Sequence, residues 1–565
     1  MAKKKVGIGI GVLVGIIILA GLIYLSIVKK PMQEEDVSKN ENSPTTDEVF
    51  DPPEDPDAQQ VTFSDDREMN RQRMKEQKMT AEYEEGDYTF DSPFIKVDPY
   101  DVMPLSAILM FETEKPARIR VRVEGKDENS SIERVYENFE TEHYVPVLGL
   151  YPGEENTVSI DYITEDGEDT GENDITIKTD PLPDDFLQPE LVEAHPEKME
   201  TGLTFMIPTE KYMYAVDDNA DVRWFTSLPM KLAFNRLENG HILFASQDEA
   251  HDTYNQLLEM DMLGKIYNAY IVEIDGYDRG DIVHHDIIEL PSGNLLATAH
   301  EPDSKYVMDQ MIEIDRETGK TLRFINERDL FPAEAYEEYD GKNAEDNDWI
   351  HQNAIWFDNR SESILISGRS QDAIMKVSYP DADIEWILAA HEDWPESYDD
   401  YLLEPIGDVK FPAGQHAMKI LPTQDGNPDT VDVLLFDNNT VITRGDEEVS
   451  DTYSRAVQYR INEKEKTVEE VWAYGEDRGT DFFSDIIGNA QYLFDTENRL
   501  VTSGAIESDD GMKMSRIVEV TGEDDPEVVF EVATPKFEEK RYIYRAYRLP
   551  LYPDDNWDFQ FSEPE

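Results

Sequence analysis

Repetition is the strongest constraint on this fold: a strand, an acidic turn and a second strand recur six times in the part of the chain that follows residue 191. The copies are Tyr214–Trp224, Leu257–Ile266, Ile312–Leu322, Ile374–Trp386, Val457–Trp472 and Ile517–Phe530. A second hairpin, with a Gly or Asn turn, recurs at Leu237–Leu243, Leu290–Leu296, Phe357–Ile366, Leu421–Phe436 and Phe494–Val501. Two hairpins per repeat make a four-stranded unit. Units of this kind stack along a line or close radially, and radial closure leaves only short, protected edges. Six outer hairpins therefore predict an all-β chain built around a six-bladed β-propeller over residues 191–565. The repeats are longer than a minimal blade of ~40–50 residues. Loops such as 329–348 and 391–410 are expected to project from the rim and cover a channel mouth.

Upstream the pattern changes. Alternating runs at Ser106–Phe111, Ala117–Val123, His143–Val147, Asn156–Tyr162 and Asp174–Lys178 predict a small antiparallel β-sandwich of Ig-like type over 89–182. Residues 31–88 are acidic, Pro-bearing and poor in large aliphatics, which predicts a disordered tether. A short helix in the locally basic run Arg67–Met79 is the lesser expectation. Before it, Lys3–Lys5 precede 23 apolar or small residues, Val6–Val28, and then Lys29 and Lys30. That run is long enough to cross a hydrocarbon core of ~30 Å. No small-residue cleavage site follows, so residues 1–30 read as an N-terminal transmembrane signal anchor. The lysine flanks place the N-terminus inside and the body outside the cell. Gly7, Gly11 and Gly15 form overlapping GxxxG spacings that would allow helix pairing and so a homodimer.

Composition excludes several functions. The formal net charge is −73, so a nucleic-acid partner, which needs a basic footprint, is not expected. There is no cysteine, which removes disulfides, thiolate zinc sites, a thiol nucleophile and a lipoprotein anchor. GxSxG, P-loop and HExxH patterns are absent, and the glycines at 7, 9 and 11 lie in the apolar span.

The chemistry that remains centres on histidine. Of ten histidines, His284, His285, His351 and His416 open strands that lead into the second type of hairpin. His285 and His351 are 66 positions apart, and His351 and His416 are 65 apart. In a radial repeat such residues converge on the axis. Arg369 ends the strand paired with the one after His351, and its planar fork suits two oxygens of a tetrahedral anion. The other histidines (143, 195, 241, 251, 300 and 391) read as surface or packing residues. Three chemistries fit: a histidine nucleophile, a His-ligated metal, or anion binding without reaction. Arg369 beside the imidazoles opposes a metal cation.

The stretches His284–Asp286 before Leu290–Asn294, Asp348–Asn353 before Ser367–Arg369, Gln415–Ala417 before Leu435–Asn438, Tyr453–Tyr459 and Asn498–Thr502 together resemble the bacterial arylsulfate sulfotransferases. The likeness covers roughly residue 191 to the C-terminus and the small sandwich before it. It implies a six-bladed propeller and a ping-pong reaction. A phenolic sulfate ester gives its sulfuryl group to a histidine, and a phenol acceptor then collects it, with no cofactor, nucleotide sulfate donor or metal. By motif the nucleophile falls on His416. His351, Asn353 and Arg369 match the sulfate-binding set, the first histidine of that set is His284 or His285, and Thr502 matches more weakly. The competing expectations are an extracellular propeller that only binds anionic ligands, and a metal-dependent hydrolase. Some members of that family carry a disulfide near the site, which has no counterpart in this cysteine-free chain.

Overall fold

The computed structural model describes residues 60–63 and 67–562, except 128, 210, 248–255, 274–282, 302–303, 422–423, 509, 538–541 and 554–558. The proposed anchor over 1–30, its GxxxG face and most of the tether lie outside the described residues. Among those described, no helix is long and apolar enough to cross a membrane.

The chain is all-β. Six sheets, antiparallel except for the short parallel strand Glu404–Pro405, hold the six outer hairpins at the positions the alternation predicts. Each sheet opens on a strand lying nearest the others. These are β1 (Phe234–Arg236), β2 (Val283–Glu289), β3 (Gln352–Asp358), β4 (His416–Leu421), β5 (Asn489–Tyr492) and β6 (Ile543–Leu549). Consecutive members from β1 to β6 touch. Phe234 of β1 and Tyr547 of β6 stack with ring centroids 5.7 Å apart, which brings the last strand back to the first. Outward from β3, for example, run Ser363–Gly368, Ala373–Ser378 and Ile384–Leu388.

The opening strands are not paired with one another, so their free backbone groups need other partners. Side chains from the neighbouring sheet supply them. Asn353 donates to the Gln415 carbonyl at 2.7 Å, Asp286 accepts from the Ile355 N–H at 3.1 Å, and Asn489 exchanges two bonds with Ala546 at 2.8 and 2.9 Å. Apolar cores fill the spaces between sheets. One holds Ala354, Leu365, Ile374, Trp386, Met418, Val433 and Tyr459 from two adjacent sheets.

The sequence pattern supplies five opening hairpins for six sheets. The sixth opening strand comes from the far end of the chain, where β6 pairs antiparallel with Leu203–Pro208. The strand Glu190–Ala194 likewise adds to the edge strand Val528–Ala533. Both ends of the repeat are thereby tied to distant strands.

The sandwich region is a five-stranded antiparallel sheet, its two central runs fused into one strand, Ser106–Val123. That strand changes partners midway: its first half pairs with Phe94–Val97, its second with Glu155–Thr164, and Ile132–Leu148 follows its other side. The tether expected over 31–88 needs correction at its C-terminal end, where Arg67–Glu84 forms an 18-residue helix, α1. Its anchoring is mostly polar, which hides it from a search for apolar periodicity. Gln72 donates to the Gly264 carbonyl and accepts from the Ile266 N–H, both at 2.8 Å, and Glu76 accepts from the Tyr100 hydroxyl at 2.7 Å. Met79 and Tyr83 supply the buried apolar contact.

Candidate active site

Each of the three histidine stretches enters its sheet through an irregularity. Pairing shifts between Val283 and Ile287, between Gln352 and Ala354, and between His416 and Lys419. A bulge re-aims the side chains it carries. Two non-glycine residues at these points, His351 (φ 50°) and Ala417 (φ 54°), adopt the left-handed region, a conformation that costs energy and gathers at functional sites.

The re-aimed imidazoles meet. The rings of His284 and His285 are 5.0 Å apart, and the rings of His285 and His351 are also 5.0 Å apart. The charge states of His351, Arg369 and Arg545 bear directly on His416, and His416 in turn bears on His285. His284 and His285 differ in direction. The His285 ring lies beside His351, whereas His284 meets His285 Nδ1 to Nδ1 at 2.9 Å and turns its Nε2 to the Ala299 carbonyl (3.1 Å), with the His300 ring 4.8 Å away. His300, expected to be a surface or packing residue, thus stands at the back of the cluster.

His416 is the most constrained of the set. Its Nδ1 faces the Asn438 Oδ1 at 2.7 Å and the Gly414 carbonyl at 3.1 Å. Asn438 cannot present its nitrogen instead, because its Nδ2 donates to the carbonyls of Ser484 (2.7 Å) and Ile487 (3.0 Å). Two acceptors at Nδ1 require the proton there, which leaves the lone pair on Nε2. Burial, followed by the positive charge of Arg369, holds the His416 pKa well below its ordinary value, so the ring is neutral at pH 7. The imidazoles of His284 and His285 are pushed the same way, chiefly by burial.

Arg369 follows the strand Ser363–Gly368 in a short 3-10 turn, and its N–H donates to the His351 carbonyl at 3.2 Å. Its guanidinium makes one long contact, Nη2 to the Asp485 carbonyl at 3.4 Å, and its buried Nε has no partner among the described residues. A buried fork with donors to spare beside the neutral His416 ring can take a multi-oxygen anion. His351 Nδ1 is paired with the Asp348 carboxylate, leaving Nε2 as its available nitrogen. The loop 329–348 reaches this region: the Tyr339 hydroxyl donates to the Ser370 carbonyl at 3.1 Å, and Asn343 donates to the Ser370 hydroxyl at 2.8 Å.

Asn353 ties its strand to the His416 stretch: its Nδ2 donates to the Gln415 carbonyl at 2.7 Å, and its buried Oδ1 has no partner among the described residues. No hydrogen bond or ring contact among the described residues links Thr502 to the imidazoles. It sits opposite Asn489 with its hydroxyl buried and unpaired.

Residues outside the motifs complete the layer. Arg545 of β6 binds Asp286 at 2.9 Å and the Asn353 carbonyl at 3.0 Å. The Tyr544 hydroxyl lies 3.4 Å from the carbonyls of His285 and Asn353. The available sequence signal was the aromatic-bearing run Ile543–Leu549, which lacks a sequence-adjacent partner strand. Among the described residues no group of three or more His, Asp or Glu is arranged to hold a metal ion.

A family model described as arylsulfotransferase (ASST) matches residues 189–545, and a model for the arylsulfotransferase Ig-like domain matches 94–180. The chain belongs to the arylsulfotransferase family. Two curated relatives, both named arylsulfate sulfotransferase AssT, are similar over most of their length. The protein of Lelliottia amnigena is 24% identical over 529 residues, covering 73% of this chain and 85% of the relative. That of Escherichia coli O6:H1 is 22% identical over 517 residues, covering 73% and 84%. Among solved structures, a periplasmic gluconolactonase of Pseudomonas aeruginosa matches 76% of this chain and 96% of its own at 11% identity, with a TM-score of 0.30. That degree of superposition says nothing further about this fold. Membership of the arylsulfotransferase family agrees with the enzyme class expected from the sequence motifs, aryl-sulfate sulfotransferase, and with an Ig-like domain ahead of the repeats.

Proposed function

We propose that this protein moves a sulfuryl group from a phenolic sulfate ester to a phenol acceptor by a ping-pong reaction through a sulfo-histidine at His416. The observation that carries the reading is the fixed tautomer of His416: Nδ1 holds the proton, and the Nε2 lone pair, which accepts from the Ile487 N–H at 3.3 Å, belongs to a neutral ring close enough to Arg369 to feel its charge. In the first half-reaction Nε2 attacks sulfur, the N–S bond forms, and the S–O bond to the aryl group breaks. Arg369 and His285 hold sulfuryl oxygens as charge redistributes, a task of positioning and electrostatics more than of covalent chemistry. His351, braced by Asp348, supplies the proton to the departing phenolate. The incoming phenol reverses the sequence and gives its proton back to His351. No nucleotide sulfate donor or metal takes part in this scheme. Asn353 braces the neighbouring strand, and Thr502 has no assigned role.

The same reading takes the six sheets as blades of one propeller over 191–565. It is supported by the contacts between successive opening strands, the Phe234–Tyr547 stack and the pairing of β6 with Leu203–Pro208. An Ig-like domain over 89–182 precedes it. A single-pass anchor over 1–30 would hold the catalytic body outside the cell membrane.

The test is turnover of a chromogenic aryl sulfate by the full-length protein, with and without a phenol acceptor. Release that depends on the acceptor and is lost in His416→Ala is the expected result. Acceptor-independent release would indicate hydrolysis, and full activity in His416→Ala would remove His416 as nucleophile.

A further inference from the structure

A cavity that all six opening strands line does not contain the imidazole cluster. It is about 490 Å³, and its wall begins at Asp286, Ile355, Ala417, Gln491 and Arg545, farther along the strands than the histidines. All six opening strands contribute to its wall, so it lies on the line they surround. The buried pair Asp286–Arg545 (2.9 Å) belongs to both places: it lines this cavity and braces the strands behind His285 and Asn353.

The wall has a definite chemistry. Phe234, Trp356, Phe357 and Tyr547 provide aromatic surface, with Ile288 and Met418 between them. The rest of the wall is polar, with Arg236, Glu238, Asp286, Glu289 and Arg545. Lys419 sits on the aromatic side, its Nζ 5.4 Å from the Trp356 ring centroid and 4.6 Å from that of Tyr547. No ion pair holds Lys419 among the described residues. Glu289, which also lines the space, is already engaged by Arg316. In a chain with a formal charge of −73, an ammonium without a carboxylate partner is an unusual thing to leave in an aromatic recess. The volume falls within the ~300–1,000 Å³ range of small-molecule sites, which pair apolar walls with a few placed polar groups.

We infer that this cavity is a second ligand site, separate from the sulfotransfer centre, that binds an aromatic monoanion with its ring among Trp356, Tyr547 and Phe234 and its anionic head on Lys419. Such a ligand has two sources: an aryl sulfate of the kind the proposed reaction uses, or an unrelated aromatic carboxylate. Occupancy loads the Asp286–Arg545 pair from the cavity side, which gives the ligand a physical route to the histidine layer.

The experiment is calorimetric titration of the full-length protein with naphthalene-2-sulfonate, whose C–S bond prevents sulfuryl donation. Three variants are compared with the parent: Lys419→Met, Trp356→Leu and His416→Ala. The inference expects binding that weakens about tenfold to a hundredfold in Lys419→Met, the usual worth of a lost charge-assisted contact. It also expects weakening in Trp356→Leu and no change in His416→Ala, which separates this site from the transfer centre. Titration with 2-naphthyl sulfate and naphthalene-2-carboxylate on His416→Ala then identifies the source, the tighter ligand naming the class. Binding that is absent, indifferent to Lys419→Met, or equally strong for uncharged 2-naphthalenemethanol would overturn the inference.

Discussion

Asn438 touches no substrate in the proposed reaction, yet replacing it should slow sulfuryl uptake. In Asn438→Ala the 2.7 Å contact to His416 Nδ1 disappears, along with two bonds to the Ser484 and Ile487 carbonyls. Neither carbonyl becomes an orphan, because Ser454 still donates to Ser484 at 3.2 Å and the Ser484 hydroxyl to Ile487 at 3.4 Å. Three neutral hydrogen bonds at ~1 kcal/mol each put the stability cost at about 2–4 kcal/mol. The Nδ1 proton keeps only the Gly414 carbonyl at 3.1 Å, so the reactive tautomer loses ~1 kcal/mol of preference, about fivefold. Looser aim of Nε2 enlarges this, and a tenfold to hundredfold fall in the first half-reaction is expected. Asn438→Asp is the companion variant. A carboxylate at Nδ1 stabilises the imidazolium, so the acid limb of the rate profile should move towards neutral pH relative to the parent. Single-turnover release of the phenol, followed from acid to neutral pH in the absence of acceptor, measures both. A folded Asn438→Ala within twofold of the parent, together with an unshifted acid limb in Asn438→Asp, would refute the tautomer argument.

Three further outcomes follow from the same geometry. Arg369→Lys keeps the charge but loses the fork, and kcat/KM for aryl sulfate should fall about a hundredfold or more, read in steady-state assays across donor concentrations. Arg545→Met strands the buried Asp286 carboxylate and should cost about 3–5 kcal/mol in urea unfolding, although Arg545 lies in none of the motifs. The depressed pKa of His285 means that the unfolded chain binds its proton first, so this residue's contribution to stability falls as pH drops below ~6.5. Denaturant titrations of His285→Gln from pH 7 to pH 5 should therefore show a shallower loss than the parent, by up to ~1.4 kcal/mol per pH unit.

The outer hairpins were legible because each is local: both strands and the acidic turn fall within a short window, and period-two alternation marks the buried face. β6 was not, because its partner Leu203–Pro208 lies some three hundred residues earlier and no turn announces the pairing. With β6 went Tyr544 and Arg545, the groups that brace the histidine layer. Helix α1 escaped for another reason: Gln72 and Glu76, two of its buried contacts, are polar and read as solvent-facing in a linker. The histidines could be listed from their spacing, but which imidazole faces which depends on bulges. A bulge flips side-chain direction without leaving a composition signal, so His284 and His285 were equivalent on paper and differ in space. Thr502 shows the reverse limit, where a motif match carries no hydrogen bond or ring contact with the imidazoles among the described residues.

The central claim is that His416 itself carries the sulfuryl group. Mixing the full-length protein with an aryl sulfate in the absence of acceptor, quenching rapidly under alkaline conditions that preserve N–S bonds, and mapping peptides by mass spectrometry tests it directly. The account predicts a sulfuryl adduct confined to the peptide containing His416, discharged on addition of a phenol. An adduct on another residue, or complete phenol release with no adduct at any time point, would contradict it.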